Sequence, residues 1–220
     1  MKKVAVIAGT PVDTDMGVQV LNKKKVFSPV YLPCYENPRQ CHVFQMQSEA
    51  EKTKKMTEHF LSGKQLGAEA YFVYCNSLAG AFDYDAFAEK TGYRIVTPLN
   101  AYGRLAKDYS RVGVIAANAQ AVAGIEKAFT NSNESCYVYG MGLLDMVEAI
   151  EAKTSPEEIC RSFHLKDLFE YFGSIGAEAV ILGCTHFPYI KEAAKRLCSL
   201  SVIDPADIMH EILEEILICS

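Results

Sequence analysis

The chain nearly repeats itself. Residues 67–75 read Gly-Ala-Glu-Ala-Tyr-Phe-Val-Tyr-Cys, and residues 176–184 read Gly-Ala-Glu-Ala-Val-Ile-Leu-Gly-Cys. Two further anchors recur at almost the same spacing. Val4-Ala-Val-Ile-Ala is matched by Val112-Gly-Val-Ile-Ala, 108 residues on. Cys75 is matched by Cys184, 109 on, and Val96-Thr-Pro98 by Ile203-Asp-Pro205, 107 on. Three matches in one order, agreeing within two residues, point to two copies of one unit. A period this long is a domain rather than a solenoid repeat.

The unit is of the α/β class, because short apolar runs alternate with amphipathic stretches. The pattern predicts strands over 4–9, 70–75, 94–98, 111–118, 136–140, 179–184 and 201–205. Ser48 with Glu51 three residues on is a capping-box signature that opens a helix over 48–65. Further helices are predicted over 79–90, 98–109 and 119–129, from Ser155-Pro156 towards 173, after Pro188, and up to 218. The stretch GTPVDTDMG after the first strand reads as a loop rich in Asp and Thr. The expected fold is two α/β lobes with mostly parallel sheets, related by a pseudo-two-fold axis, with the active site in the crevice between them. In open parallel sheets ligands sit beyond the carboxyl ends of the strands. Cys75, Cys184, Gly9-Thr10 and Ala117-Asn118 all hold that position.

Composition removes several function classes. The net charge of −5 and the shortness of the runs Lys23-Lys24-Lys25 and Lys54-Lys55 give no basis for nucleic-acid binding. No apolar run approaches the roughly 20 residues needed to span a bilayer, so no membrane role is expected. The N-terminal apolar run is too short for a signal-peptide core and reads as the first strand, so a cytoplasmic protein is expected. No Walker or Gly-x-Gly-x-x-Gly sequence is present to cradle a nucleotide. The eight cysteines, at 34, 41, 75, 136, 160, 184, 198 and 219, include no Cys-x-x-Cys pair. Neither a zinc ribbon nor a thioredoxin-type site is expected, and no metal. His42, His59, His164 and His210 sit in no motif.

Two thiols on matching strand ends suit one kind of chemistry. A cysteine between a strand and a helix feels the helix N-terminal partial charge, which can bring a thiol from about 8.5 into the range of roughly 3.5–7.5. Such a group exchanges its proton readily near neutrality. Inverting a carbon centre needs a base on one face and an acid on the other, with the roles exchanged in the reverse direction. Two like groups facing each other across a bound molecule meet that need. Asn76 and Ser77 follow the first thiol and Thr185 and His186 the second, so each is followed by donors for a carboxylate.

The segments Tyr-Cys75-Asn-Ser and Leu-Gly-Cys184-Thr-His-Phe-Pro, each closing an apolar strand, resemble those of the aspartate/glutamate racemase superfamily, and the second is particularly like glutamate racemase. The resemblance covers essentially the whole chain. It implies a cofactor-independent amino-acid racemase and homodimer with Cys75 and Cys184 as the acid/base pair. It implies that His186 and a glutamate from the second half assist Cys184. Segment 145–151, Asp-Met-Val-Glu-Ala-Ile-Glu, resembles that glutamate's surroundings, with Glu148 the best match. It also implies lobes of 1–97 with 205–220, and 98–204. The expected substrate is a small carboxylate or amino acid, contacted by Gly9, Thr10, Asp13, Asn76, Ser77, Asn118 and Thr185. Glutamate racemases carry Asp-Ser where this chain has Ala8-Gly9, leaving Asp13 or Asp15 to supply that acid or to cap a helix. Asn118 and Gln120 replace the usual small hydroxyl residues. Same-fold hydantoin racemases, maleate isomerases and arylmalonate decarboxylases, and a carboxylate-binding relative without turnover, remain open alternatives.

Overall fold

A computed structural model describes residues 1–218; Cys219 and the last residue lie outside the described residues. The first half runs β1 (Lys2–Ala8), α1 (Pro11–Asn22), β2 (Phe27–Pro33), α2 (Pro38–Gln45), α3 (Glu49–Gln65), β3 (Ala70–Val73), α4 (Asn76–Ala81), α5 (Tyr84–Thr91), β4 (Ile95–Val96) and α6 (Pro98–Leu105). The second runs β5 (Arg111–Ala116), α7 (Ala119–Ser132), β6 (Tyr137–Gly142), α8 (Leu144–Glu151), α9 (Pro156–Ser162), α10 (Leu165–Ser174) and β7 (Ala179–Gly183). A 3₁₀ turn (Phe187–Ile190), α11 (Lys191–Leu197), β8 (Ser201–Ile203) and α12 (Ala206–Ile218) follow. The chain divides into two compact units: Met1–Ala101 with the chain from Ala206 onward, and Tyr102–Pro205.

The repeat is written into the sheets. One has strand order β2-β1-β3-β4 and the other β6-β5-β7-β8, all pairs parallel. Their registers correspond: Val4 pairs with Ala70 and Val112 with Ala179, Val4 with Pro29 and Val112 with Val138. The central strands are buried along most of their length, as the parallel arrangement requires, so they read as continuous apolar runs. Helix starts recur as well. Thr10 caps α1 and Asn118 caps α7, while Ser48 caps α3 and Ser155 caps α9. Each side-chain oxygen accepts a backbone N–H of the first turn, satisfying a donor that the helix itself leaves unpaired.

The structure differs from the sequence reading in several places, among them α2, which the reading did not expect. GTPVDTDMG is not a loop: α1 begins at Pro11, with a capping box formed by Thr10 and Asp13. Proline is pre-set for that first helical position. Residues 27–33 form β2, a strand hidden by Pro29 and Pro33, which an edge strand tolerates because one row of its N–H groups has no partner to lose. Residues 79–90 are split at Phe82 and Asp83, where Asp83 Oδ1 accepts the Ala86 N–H at 2.9 Å and restarts the chain as α5. The helix expected from 155 to 173 breaks at His164, which holds a left-handed φ of 49° between α9 and α10.

In the first unit, the core gathers β1 and β3 with Leu21, Met56 and Phe60, and takes in Ala206, Met209, Ile212, Leu213 and Leu217 of α12. Phe27 meets the His210 ring at 5.3 Å, and Lys24 Nζ reaches Glu214 at 2.8 Å. In the second unit Tyr102 stacks on Phe129 at 5.9 Å, and Phe169, Phe172 and Phe187 are buried.

Candidate active site

In the first unit Cys75 follows β3 in extended conformation and is the N-cap of α4, 5% exposed. Around it the sequence candidates converge. Asp13, 1% exposed, accepts the Gly9 N–H at 3.2 Å, the Thr10 N–H at 2.6 Å and the Thr10 hydroxyl at 3.2 Å. Thr10 in turn takes the Asp13 N–H and, through its carbonyl, the Thr14 hydroxyl at 2.7 Å. A Cβ built on Gly9 would stand 3.3 Å from Cys75 Sγ and 3.5 Å from Asp13 Oδ2, so thiol and carboxylate border the same point. Asn76 and Ser77 are buried in the first turn of α4, and the Ser77 carbonyl accepts from Gln45 Nε2 at 3.3 Å. Asp15 lies one residue beyond Thr14 on the exposed side of α1.

The sequence reading gave Cys41 and Cys34 no role, yet both are buried in this region. Cys41 Sγ lies 3.9 Å from Cys75 Sγ. Its hydrogen bond to Cys75, reinforced by burial, pushes the Cys41 thiol well above the usual range; burial does the same to Cys34. No local signal marked Cys41, because the contact joins residues 34 positions apart.

In the second unit Cys184 follows β7, 6% exposed, with Thr185 and His186 buried behind it. Cys184 Sγ lies 3.7 Å from His186 Nδ1, and His186 Nε2 lies 2.9 Å from Glu151 Oε1. An ionised carboxylate only accepts, so Nε2 carries the hydrogen and Nδ1 is left facing the sulfur. The row is Cys–His–Glu: a thiol, an imidazole able to exchange its proton, and a carboxylate that orients the ring. The carboxylate on Nε2 is Glu151, whereas Glu148, the residue matched from sequence, lies one turn earlier on the same helix. Both belong to the segment 145–151, and residues three apart on a helix share a face, so spacing could not separate them. Asn118, expected to touch substrate, spends its Oδ1 on the Ala121 N–H at 2.9 Å as the α7 cap.

Fold and site together define a duplicated parallel α/β chain in which the corresponding strands β3 and β7 are each followed by a buried thiol. The chain belongs to the Asp/Glu/Hydantoin racemase family, whose model matches residues 18–213. It is 29% identical over 162 residues to a glutamate racemase of Clostridium kluyveri, covering 70% of this chain and 61% of that one. It is 32% identical over 102 residues to a glutamate racemase of Desulforudis audaxviator, covering 44% of this chain and 36% of that one. The matches thus span less than two thirds of those relatives' own length. A glutamate racemase isoform of Bacillus anthracis superposes with a TM-score of 0.77 at 18% identity, covering 98% of this chain and 81% of that one, a likeness of fold. Among the described residues no helix is long and apolar enough to cross a membrane.

Proposed function

We propose that the chain is a cofactor-independent racemase acting on a small amino acid, with glutamate, the substrate named for its relatives, as the first candidate. Cys75 and Cys184 are the acid/base pair. In one direction the thiolate of one takes the α-proton and the thiol of the other returns a proton to the opposite face. The two sulfurs exchange protonation states, and the reverse reaction restores them. The observation that supports this most is the Cys184–His186–Glu151 row, a proton-handling set on a strand-end thiol that a structural cysteine does not need. Asp13, beside Cys75 and held by the backbone of Gly9 and Thr10, is the acid we assign in place of the Asp-Ser pair found in glutamate racemases. Thr10, Asn76, Ser77 and Thr185 are assigned to the substrate carboxylate. The homodimer implied by the resemblance and the cytoplasmic setting expected from the short N-terminal apolar run accompany this reading, and light scattering checks the first.

The test is incubation of the purified chain in D₂O with D- and L-glutamate, then with aspartate and other amino acids. Deuterium at Cα together with loss of optical rotation is the expected result. Ligand-dependent melting shifts without label would instead describe a binding protein, and no response to any of these compounds would point to a different substrate class within the family.

A further inference from the structure

A third thiol stands beside Cys75. Cys41, in the middle of α2, brings its Sγ to 3.9 Å from Cys75 Sγ, within reach of an S–H···S hydrogen bond. The room for that sulfur exists because residue 9 is glycine. A Cβ there would meet Cys41 Sγ at 3.0 Å and Cys75 Sγ at 3.3 Å, both tighter than a settled contact. We propose that Cys41 is a positioning residue for Cys75: its thiol donates the hydrogen bond that fixes the Cys75 sulfur and favours its ionised, proton-abstracting form. The catalytic consequence rests on the racemase reading; the contact itself does not.

The direction of the bond follows from the surroundings. Cys41 is held well above the usual thiol range by its bond to Cys75 and by burial, so near neutrality it keeps the proton it would donate. Among the described residues, Cys41 from α2 and Asp13 from α1 stand beside Cys75, and Cys34 from the segment after β2 and Tyr84 from α5 interact with it electrostatically. Burial pushes Cys34 and Tyr84 up as well, so both stay neutral. The Tyr84 hydroxyl is directed at Met56 Sδ, 3.0 Å away. Asp13 contributes a negative charge that opposes a second anion beside it. Against that charge Cys41 supplies a donor, and a donor on an ionised acceptor is among the stronger hydrogen bonds.

The experiment is alkylation of the reduced full chain with iodoacetamide between pH 6 and 10, followed on the tryptic peptide 65–90, whose one cysteine is Cys75. Cys41→Ala should slow labelling of Cys75 about tenfold at pH 7 and move the rate–pH curve up by about one pH unit, the rates meeting near pH 10. Cys41→Ser, which keeps a donor, should stay within about threefold of the parent. Cys41→Val fills the volume without a donor and should behave as alanine does, which covers the case of an alanine variant that loosens the core. A Cys41→Ala curve that superimposes on the parent, or a rate changed by one factor at every pH, overturns the proposal. A shifted curve in a chain that racemises nothing would leave the sulfur–sulfur assignment standing and sink the racemase reading. Racemisation with an unmoved curve would do the opposite.

Discussion

Cys75 and Cys184 close corresponding strands of two units with the same strand order, yet their sulfurs keep different company. Cys184 faces an imidazole backed by a carboxylate; Cys75 faces a second thiol and borders a buried carboxylate. The duplication kept the backbone device, in which a parallel strand delivers a thiol at its carboxyl end. It did not keep the proton environment. Under the proposed reaction both halves of this arrangement have a use: the two thiols would perform the same step on opposite faces of the carbon, and nothing would require them to be tuned by the same groups. A histidine relays a proton through its two ring nitrogens, whereas a thiol has a single S–H to donate and no second site through which to pass the proton on.

The sharpest way to break the comparison is to remove either sulfur. Cys75→Ala and Cys184→Ala should each lower racemisation by at least about 10³-fold, since general acid–base groups contribute roughly 10²–10⁴-fold each and the reaction needs both. In D₂O the two variants should part company. Each retains one base and should exchange the α-proton of one enantiomer without inverting it, and the two variants should label opposite enantiomers. NMR of the recovered amino acid reads this directly. Label in both enantiomers with either variant would mean that the sulfurs do not divide the two faces between them.

Next in size is the carboxylate behind His186. Glu151→Gln replaces an acceptor-only carboxylate with a neutral amide that can also donate to Nε2, removing the charge that holds the Nε2–H tautomer, and should reduce kcat about 10²-fold. Glu148→Gln, one turn away, should stay within about threefold if Glu151 is the residue that matters. Steady-state assays on both variants decide between them. A larger loss at Glu148 would restore the sequence match as the working carboxylate.

How much of this was legible beforehand depends on whether a feature is local. The buried central strands announce themselves as apolar runs, and their repetition at 107–109 residues exposed the duplication and both strand-end thiols. Proline concealed β2, because Pro29 and Pro33 argue against a strand until an edge position is known to excuse them. The Thr10-Pro11-Val12-Asp13 start of α1 was readable as a capping box, but its turn-forming composition favoured a loop. The choice between Glu148 and Glu151 depends on the rotation of α8 against His186, and the Cys41–Cys75 contact on the seating of α2 against α4. Both are tertiary facts with no periodic trace.

Gly9 sharpens the first-unit side at smaller amplitude. Gly9→Ala drives a methyl into the two sulfurs and should destabilise by about 1–3 kcal/mol, the usual range for overpacking a tight core. In a Cys41→Ala background the nearer sulfur is gone, and the penalty should fall by more than half. The double-mutant cycle, read by urea denaturation, thus measures how closely residue 9 and Cys41 are coupled. Additive effects would show that the glycine is not there to seat the thiol.

The smallest effect separates the units by acid. Burial lowers the His59 pKa from 6.5 to about 4 and, to a lesser extent, that of His210; both belong to the first unit. The exposed His164 of the second unit is paired with Asp167. The fold favours neutral imidazole at 59, so between about pH 6.5 and 4 the unfolded chain binds more protons than the native one. The stabilisation is therefore complete above 6.5 and drains away as pH falls towards 4. Discounted for the partial exposure of the ring, the loss from His59 is on the order of 1–2 kcal/mol. Hydrogen exchange at pH 7.5 and 5.0 should show protection falling more in β1, β3 and α3 than in β5 and β7, and His59→Leu should flatten that difference. Equal losses in the two units would assign the acid sensitivity to groups they share, and the buried histidines would then have no part in distinguishing them.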